Sequence, residues 1–266
     1  MYNSFQLAKK YLHYYLNASN SKGHGMHSPF VFDFILNVLN NKSNYQYPDD
    51  IEALRKSLLN DERVIEVEDL GAGSRLGSSK RKSIATLART ALKPEKYARL
   101  LYRLVKHYQP KTIVELGTSL GITTAYFSKA NSSASIITVE GSRNIHQAAN
   151  ENFKNLNCTN IQSLQGNFDE ILPALIPDLT SPVSLAYIDG NHRYEPTIKY
   201  FREFLHISDE DTIMVFDDIH WSRDMEAAWE EIKADPKVQY SIDIFFMGFI
   251  FFRKEFKVKQ DFNIRF

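Results

Sequence analysis

Between Thr112 and Asp217 five short apolar runs alternate with longer runs of helical spacing, and this alternation constrains the fold more than any other feature of the chain. The strand candidates are Thr112–Leu116, Ser135–Glu140, Asn160–Gln165, Val183–Asp189 and Thr212–Asp217. The helix candidates are Pro94–Tyr108 before them, then Ile122–Lys129, Asn144–Leu156, Phe168–Ile176, Pro196–Leu205 and Asp224–Ala234. Short connections between such elements mean βαβ units, a parallel sheet and right-handed crossovers. Two further strands, Val238–Phe246 and Phe249–Lys254, are expected to turn at Met247-Gly248, and so short a link forces an antiparallel pair. The expected fold is therefore α/β: a Rossmann-like, doubly wound, mostly parallel sheet with an antiparallel C-terminal hairpin.

The first ninety residues have a different texture. Helical spacing is expected over Phe5–Leu16, Pro29–Leu39 and Asp49–Leu59, with Ser28 capping the second of these and Pro29 at its first turn. Residues 1–92 thus read as a helical N-terminal extension that covers the substrate entrance, and residues 93–266 as the catalytic domain. The glycine-rich loop Gly23–Ser28 contains His24 and His27, and loop histidines are more often solvated than ligands. Glu68-Asp69-Leu70-Gly71-Ala72-Gly73-Ser74 follows a short strand candidate, Val64–Val67, and imitates a cofactor turn. No strand ending in an acid follows it at residues 89–93, so a loop is expected. Arg75 and Lys80-Arg81-Lys82 there could meet an anionic substrate, although a solvated surface loop is the plainer reading.

The chemistry is concentrated where the strands end, because ligands of open α/β sheets sit at the strands' carboxyl ends. The first strand runs into Glu115-Leu116-Gly117-Thr118-Ser119-Leu120-Gly121. Glycines in a strand-to-helix turn let backbone come close to a ligand. The second strand ends at Glu140, 23 residues after Gly117, where a carboxylate can accept both hydroxyls of a ribose. The third ends at Gly166-Asn167-Phe168, where Asn167 can read an adenine edge and Phe168 can stack on it; Asn167 is also a good helix cap. The last two end at Asp189-Gly190-Asn191-His192 and Asp217-Asp218. Three carboxylates at adjacent strand ends suit Mg²⁺, Mn²⁺ or Ca²⁺. Histidine is the side chain that exchanges protons near neutral pH, which makes His192 a candidate general base. The plainer reading has Asp217-Asp218 capping a helix and His192 on a surface loop.

These motifs resemble the catechol and caffeoyl-CoA O-methyltransferase-like branch of the class I S-adenosylmethionine-dependent methyltransferases, over roughly Lys93 to Lys254. The resemblance implies S-adenosylmethionine as cofactor, held by Glu115, Gly117, Thr118, Ser119, Gly121, Thr123, Glu140, Asn167, Phe168 and Asp189. It implies a divalent cation such as Mg²⁺ on Asp189, Asp217 and Asp218, with His192 and Asp189 catalytic. Two positions depart from that branch: His192 stands where a lysine base is frequent, and Asp218 where asparagine is common.

The expected activity is O-methylation of a small hydroxylated molecule. Methylation of a tRNA base or a protein side chain is one alternative, and a non-catalytic cofactor-binding module another. A nicotinamide oxidoreductase fits poorly with the closing hairpin. Lys plus Arg and Asp plus Glu both number 32, so net charge gives no pull toward nucleic acid. The one cysteine, Cys158, and the absence of a basic-then-apolar run in Met1–Gln6 lead to the expectation of a cytoplasmic location. The longest apolar stretch, Ile244–Phe252, is too short to span a bilayer as a helix, so no membrane partner is expected. A small-molecule acceptor is the expected partner, with a homodimer left open.

Overall fold

The computed structural model describes residues 1–19, 28–41, 45–68, 81–179 and 181–266. The helices are α1 (Ser4–Asn17), α2 (Pro29–Phe34), α3 (Asp49–Leu58), α4 (Ile84–Ala91), α5 (Glu95–Tyr108), α6 (Ile122–Ala130), α7 (Arg143–Asn155), α8 (Phe168–Leu175), α9 (Tyr194–His206) and α10 (Arg223–Ala234). The strands are β1 (Val64–Glu66), β2 (Arg81–Ser83), β3 (Thr112–Leu116), β4 (Ser135–Glu140), β5 (Ile161–Gln165), β6 (Leu185–Ile188), β7 (Ile213–Asp217), β8 (Tyr240–Asp243), β9 (Met247–Phe251) and β10 (Gln260–Asn263). Eight strands form one sheet in the order β10-β8-β9-β7-β6-β3-β4-β5. Contacts divide the chain into two compact units, residues 37–175 and residues 1–36 with 176–266. The expectations for His24, His27, Gly71–Arg75 and Lys80 lie outside the described residues.

In residues 37–175 the parallel register runs Thr112↔Ser135 to Leu116↔Val139, and Ile136↔Ile161 to Glu140↔Gln165. β3 is buried from end to end, as a parallel strand covered on both faces must be. α5 is amphipathic and packs on α6, whose residues are nearly all buried. Arg103 of α5 is itself buried, and its guanidinium donates to the carbonyls of Val38 (2.5 Å) and Leu39 (3.2 Å) and to the Tyr47 hydroxyl (2.8 Å). Those carbonyls end a π-helical turn, Ile35–Leu39, which continues α2 where an α-helix was expected to run through. Helix ends leave carbonyls without intrahelical partners, and a buried end needs donors from elsewhere.

The extension is less purely helical than expected. β1 and β2 pair antiparallel, Val64↔Ser83 to Glu66↔Arg81, and α4 follows directly with Ser83 as its cap. Each strand is three residues long and mostly exposed, so neither carries the apolar alternation by which strands are recognised.

In the other unit β6 and β7 are parallel, β7–β9 and β8–β9 antiparallel. The terminal hairpin is present, but it turns at Ile244–Phe246 rather than at Met247-Gly248. The Asp243 carboxylate accepts the Phe245 N–H (2.7 Å), Phe245 is left-handed at φ +73°, and both Met247 and Gly248 belong to β9. β10 was not expected: its sequence, Gln-Asp-Phe-Asn, has no apolar pattern, and it joins by parallel pairing with β8.

α1 is fixed to this unit by polar contacts. Tyr14 donates to the carbonyls of Asp243 (2.7 Å) and Ile264 (2.8 Å), while Tyr2 (2.6 Å) and Lys10 (2.9 Å) bond to the Glu226 carboxylate. Behind them His220 lies between two acids, with Nε2 2.9 Å from Asp243 and Nδ1 3.2 Å from Glu226. Carboxylates on both ring nitrogens call for a doubly protonated ring. Burial alone would lower the His220 pKa, but the bonds and charges of Asp243 and Glu226 raise it. Burial would likewise raise Glu226, yet Tyr2, Lys10 and His220 bring it below its ordinary value.

The sign follows by linkage. The histidine's contribution is fully present below the unfolded-state value of about 6.5 and is lost as pH rises through the higher folded value. The glutamate's is present above about 4.3 and lost as pH falls through its lower folded value. Thermal unfolding midpoints should therefore decline as pH rises from 6 to 9, and His220→Gln should flatten that decline. An equally steep decline in the variant would remove His220 from the account.

Candidate functional site

The turn after β3 is built by three left-handed residues in five: Gly117 (φ +105°), Ser119 (φ +50°) and Gly121 (φ +81°). It closes on itself through Gly121 N–H to the Thr118 carbonyl (2.9 Å), and it leans on β4 through Gly117 and Thr118 N–H to the Val139 carbonyl (3.0 and 3.3 Å). Gly121 caps α6 at its N-terminus. Beneath the turn, Thr118 and Thr138 share a hydroxyl bond of 2.6 Å, and Thr138 donates to the Glu115 carboxyl at 2.6 Å. Thr124 donates to the same Glu115 oxygen. Glu115 is fully buried, and Thr118 and Thr123 nearly so. Glu115 and Thr118, expected at the ligand, are thus engaged in a buried network that holds the turn's shape.

Glu140 at the end of β4 meets this turn. One of its oxygens accepts the Ser119 N–H (2.9 Å) and the other the Ser142 N–H (2.9 Å). Burial raises its pKa, and the N–H groups of Ser142, Ser119 and Gly141 only partly oppose that. At the end of β5, Gly166 donates its N–H to the Glu140 carbonyl (3.0 Å). Asn167 starts α8: its side-chain oxygen accepts the Asp169 N–H (3.0 Å) and its carbonyl the Ile171 N–H (2.9 Å). Phe168 beside it is half-buried. The capping role foreseen for Asn167 is in place.

Strand ends of the second unit gather a different set. Asp189, His192 and Asp217 bring one ligand atom each within 4.8 Å of one another. Asp217 is buried at the end of β7, and Asp189 follows β6, where Tyr187 donates its hydroxyl to it (2.8 Å). His192 Nε2 lies 3.6 Å from the other Asp189 oxygen, and its ring is 6.2 Å from that of Trp221. Asp218, expected beside Asp189 and Asp217, is not in this group. Successive residues of a strand present opposite faces. Asp217 is still strand, whereas Asp218 is left-handed (φ +54°), gives its N–H to the Phe246 carbonyl (2.8 Å) and opens a turn closed by Trp221. The imidazole takes the third place instead. Left-handed Asn191 (φ +64°) precedes it, anchored by its side chain to the Tyr200 hydroxyl (3.0 Å). The hydroxyl of Tyr187 and the ring of Trp221 were not anticipated; an inward strand tyrosine two residues before an acid is the signal that could have found the first.

Residues 114–219, which contain every one of these strand ends except the start of β3, match the family model described as a methyltransferase domain. A catechol O-methyltransferase of Niastella koreensis is 30% identical over 146 residues, covering 54% of this chain and 62% of the relative. The chain thus spans somewhat under two thirds of that relative's length. Among solved structures, an O-methyltransferase from Bacillus cereus in complex with SAH superposes with a TM-score of 0.59 at 16% identity, over 81% of this chain and 96% of the other. The SAH-bound methyltransferase PaMTH1 of Podospora anserina gives 0.58 at 13% identity, over 96% and 98%. At these identities the likeness carries the fold alone: a Rossmann-like α/β architecture with a mostly parallel eight-stranded sheet. Among the described residues, no helix is long and apolar enough to cross a membrane.

The turn's geometry can be tested at Gly121. A Cβ there would lie 2.5 Å from Phe153 Cε1, on a backbone that side chains disfavour. Gly121→Ala should lose at least about 2 kcal/mol from overpacking and left-handed strain together, measured by urea denaturation. Replacing Phe153 by leucine in the same chain should recover part of the loss. An unchanged midpoint in Gly121→Ala would place the ring elsewhere.

Proposed function

We propose that the protein is an S-adenosylmethionine-dependent O-methyltransferase acting on a small hydroxylated molecule. The observation that carries this reading is the methyltransferase-domain match over residues 114–219, with the Gly117–Gly121 turn bonded to a strand-end acid, Glu140. The similarity to a catechol O-methyltransferase and to an SAH-bound O-methyltransferase points the same way.

Glu140 is the proposed acceptor for the two ribose hydroxyls. Each of its oxygens takes one backbone N–H, and an oxygen with two lone-pair directions has room for one donor more. Asn167 and Phe168 flank the adenine. Gly117, Ser119 and Gly121 bring backbone close to the donor's amino-acid moiety, while Thr123 and buried Glu115 and Thr118 keep that backbone in shape. His192 takes the proton of the acceptor hydroxyl, and Asp189, 3.6 Å away, offsets the charge the ring gains. S-adenosylmethionine, when bound by these residues, would supply the methyl group to that oxygen, its sulfonium leaving as a thioether. Holding two reactants in line supplies up to roughly 7–11 kcal/mol in ideal cases.

A second reading is favoured by the close grouping of Asp189, His192 and Asp217. Two carboxylates and an imidazole suit Mn²⁺, Fe²⁺ or Zn²⁺ better than the all-oxygen preference of Mg²⁺. When bound there, such an ion lowers the pKa of the acceptor hydroxyl and orients it. His192 would then be a ligand and not the base.

The cofactor assignment predicts that SAH binds in calorimetry and that NAD does not. Glu140→Ala should lose charged hydrogen bonds worth about 1.5–3 kcal/mol each at most. Because burial raises the Glu140 pKa, SAH affinity should fall on acidification at a pH above that of an ordinary glutamate. Undiminished SAH affinity in Glu140→Ala would sink the ribose assignment.

The two catalytic readings separate on chelation. If His192 is the base, methyl transfer persists in EDTA, His192→Ala is inactive and Asp217→Ala retains activity. If an ion is held, EDTA and both substitutions each abolish transfer. Full activity in both variants would discard the Asp189–His192–Asp217 group as catalytic.

A further inference from the structure

We propose that residues 61–68, part of the segment expected to serve only the acceptor, belong to the cofactor's binding apparatus, with Ser142 and Asn144 as the positioning residues that connect them to Glu140. The proposal rests on the ribose assignment made above.

The turn Glu140-Gly141-Ser142 is held from three directions. Ser119 of the glycine turn gives its N–H to the Glu140 carboxylate (2.9 Å). The end of β5 holds the backbone: Gly166 N–H bonds to the Glu140 carbonyl (3.0 Å) and the Gln165 side-chain amide to the Gly141 carbonyl (3.0 Å). The third direction is the extension. Glu68 N–H donates to Ser142 Oγ (3.3 Å), and the Asn144 side-chain amide donates to the Glu66 carbonyl (3.0 Å). About two turns further along α7, Glu151 lies 3.9 Å from Arg63. β1 therefore runs alongside the first half of α7, antiparallel to it.

Ser142 is where this contact reaches the acid. A serine at a helix N-cap ordinarily accepts a bond from its own helix's N–H groups. Ser142 makes no such cap bond; its oxygen takes the Glu68 N–H instead, and the residue is 1% exposed. Its own N–H is one of the backbone donors that orient the Glu140 carboxylate, at 2.9 Å. A relay thus runs from Glu68 N–H to Ser142 Oγ, and from Ser142 N–H to Glu140 Oε1. Loosening the extension would move a donor that aims the carboxylate, while Ser119 keeps its hold on the other oxygen. Affinity should weaken without being lost.

The test uses full-length protein and two probes: SAH and its 2′-deoxyribose analogue. Ser142→Ala removes the acceptor for Glu68; Asn144→Ala, at a half-buried position, removes the bond to Glu66 with little risk to folding. Each should weaken SAH about three- to tenfold, the range of one or so net hydrogen bonds. The same substitutions should weaken the 2′-deoxy analogue less than twofold, because it lacks a hydroxyl that the aimed carboxylate accepts. Equal losses on both probes would mean a general structural effect and overturn the proposal. So would unchanged SAH affinity in Asn144→Ala and Ser142→Ala when Glu140→Ala binds SAH weakly. Wild-type protein that fails to bind SAH, or binds it as well as Glu140→Ala does, overturns the ribose assignment itself.

Discussion

A carboxyl group with no access to water sits under the glycine turn, and the form of the donor half of the domain depends on how it is satisfied. Glu115 is 0% exposed. Burying such a group without partners is costly, and removing one partner of a buried set leaves the other unsatisfied. Here Thr138 from β4 and Thr124 from α6 both donate to one oxygen, and Thr118 from the turn donates in sequence to Thr138. Four consecutive pieces of chain, β3, the turn, α6 and β4, are thereby tied to one point. The left-handed backbone at Ser119, unfavourable for a residue with a side chain, persists because its neighbours on both sides are held.

The other unit has its own buried charge problem and solves it with opposite signs. His220 is inserted between Asp243 and Glu226, stacks on Phe245 with ring centroids 4.9 Å apart, and shares Asp243 with the Trp229 indole N–H (3.2 Å). Lys10 adds a second cation on Glu226. α1, α10 with the loop before it, and the hairpin are thus joined by a small alternating charge array in which every member has a partner of the other sign. Such arrays tolerate conservative change poorly, since taking one member away leaves its neighbour uncompensated.

How much of this could be read in the sequence depended on whether the residues in question are set by burial or by backbone. The strands Thr112–Leu116 and Ser135–Glu140 have the bounds that the apolar runs give, because both faces of a central parallel strand are covered. Glu140 and Asp217 end their strands and Asp189 directly follows one, because alternation puts them there, with His192 in the loop just beyond. What escaped is local backbone choice. Asp218 leaves the group through a left-handed φ that no periodicity announces. The hairpin turns three residues early because Asp243 captures the Phe245 N–H, an interaction hidden inside a run of aromatic residues. β1 and β2 are too short and too polar for a pattern, and the service of Ser142 to Glu68 depends on residues 74 positions apart.

β10 has a consequence for the molecule's dealings with its own copies. Among the described strands it lies at one margin of the sheet, with Ser19 bridged to Ile264 just past its end, and Gln260, Asp261 and Asn263 make three of its four residues polar and exposed. Unpaired strand margins invite other chains to add on, and charge placed there opposes it. Extending the sheet sideways by a second copy would set one Asp261 near another across a margin with little apolar area to cover. Crowded conditions and partial unfolding therefore meet a margin already poor at templating, and the apolar strands β8 and β9 are kept one and two places in from it.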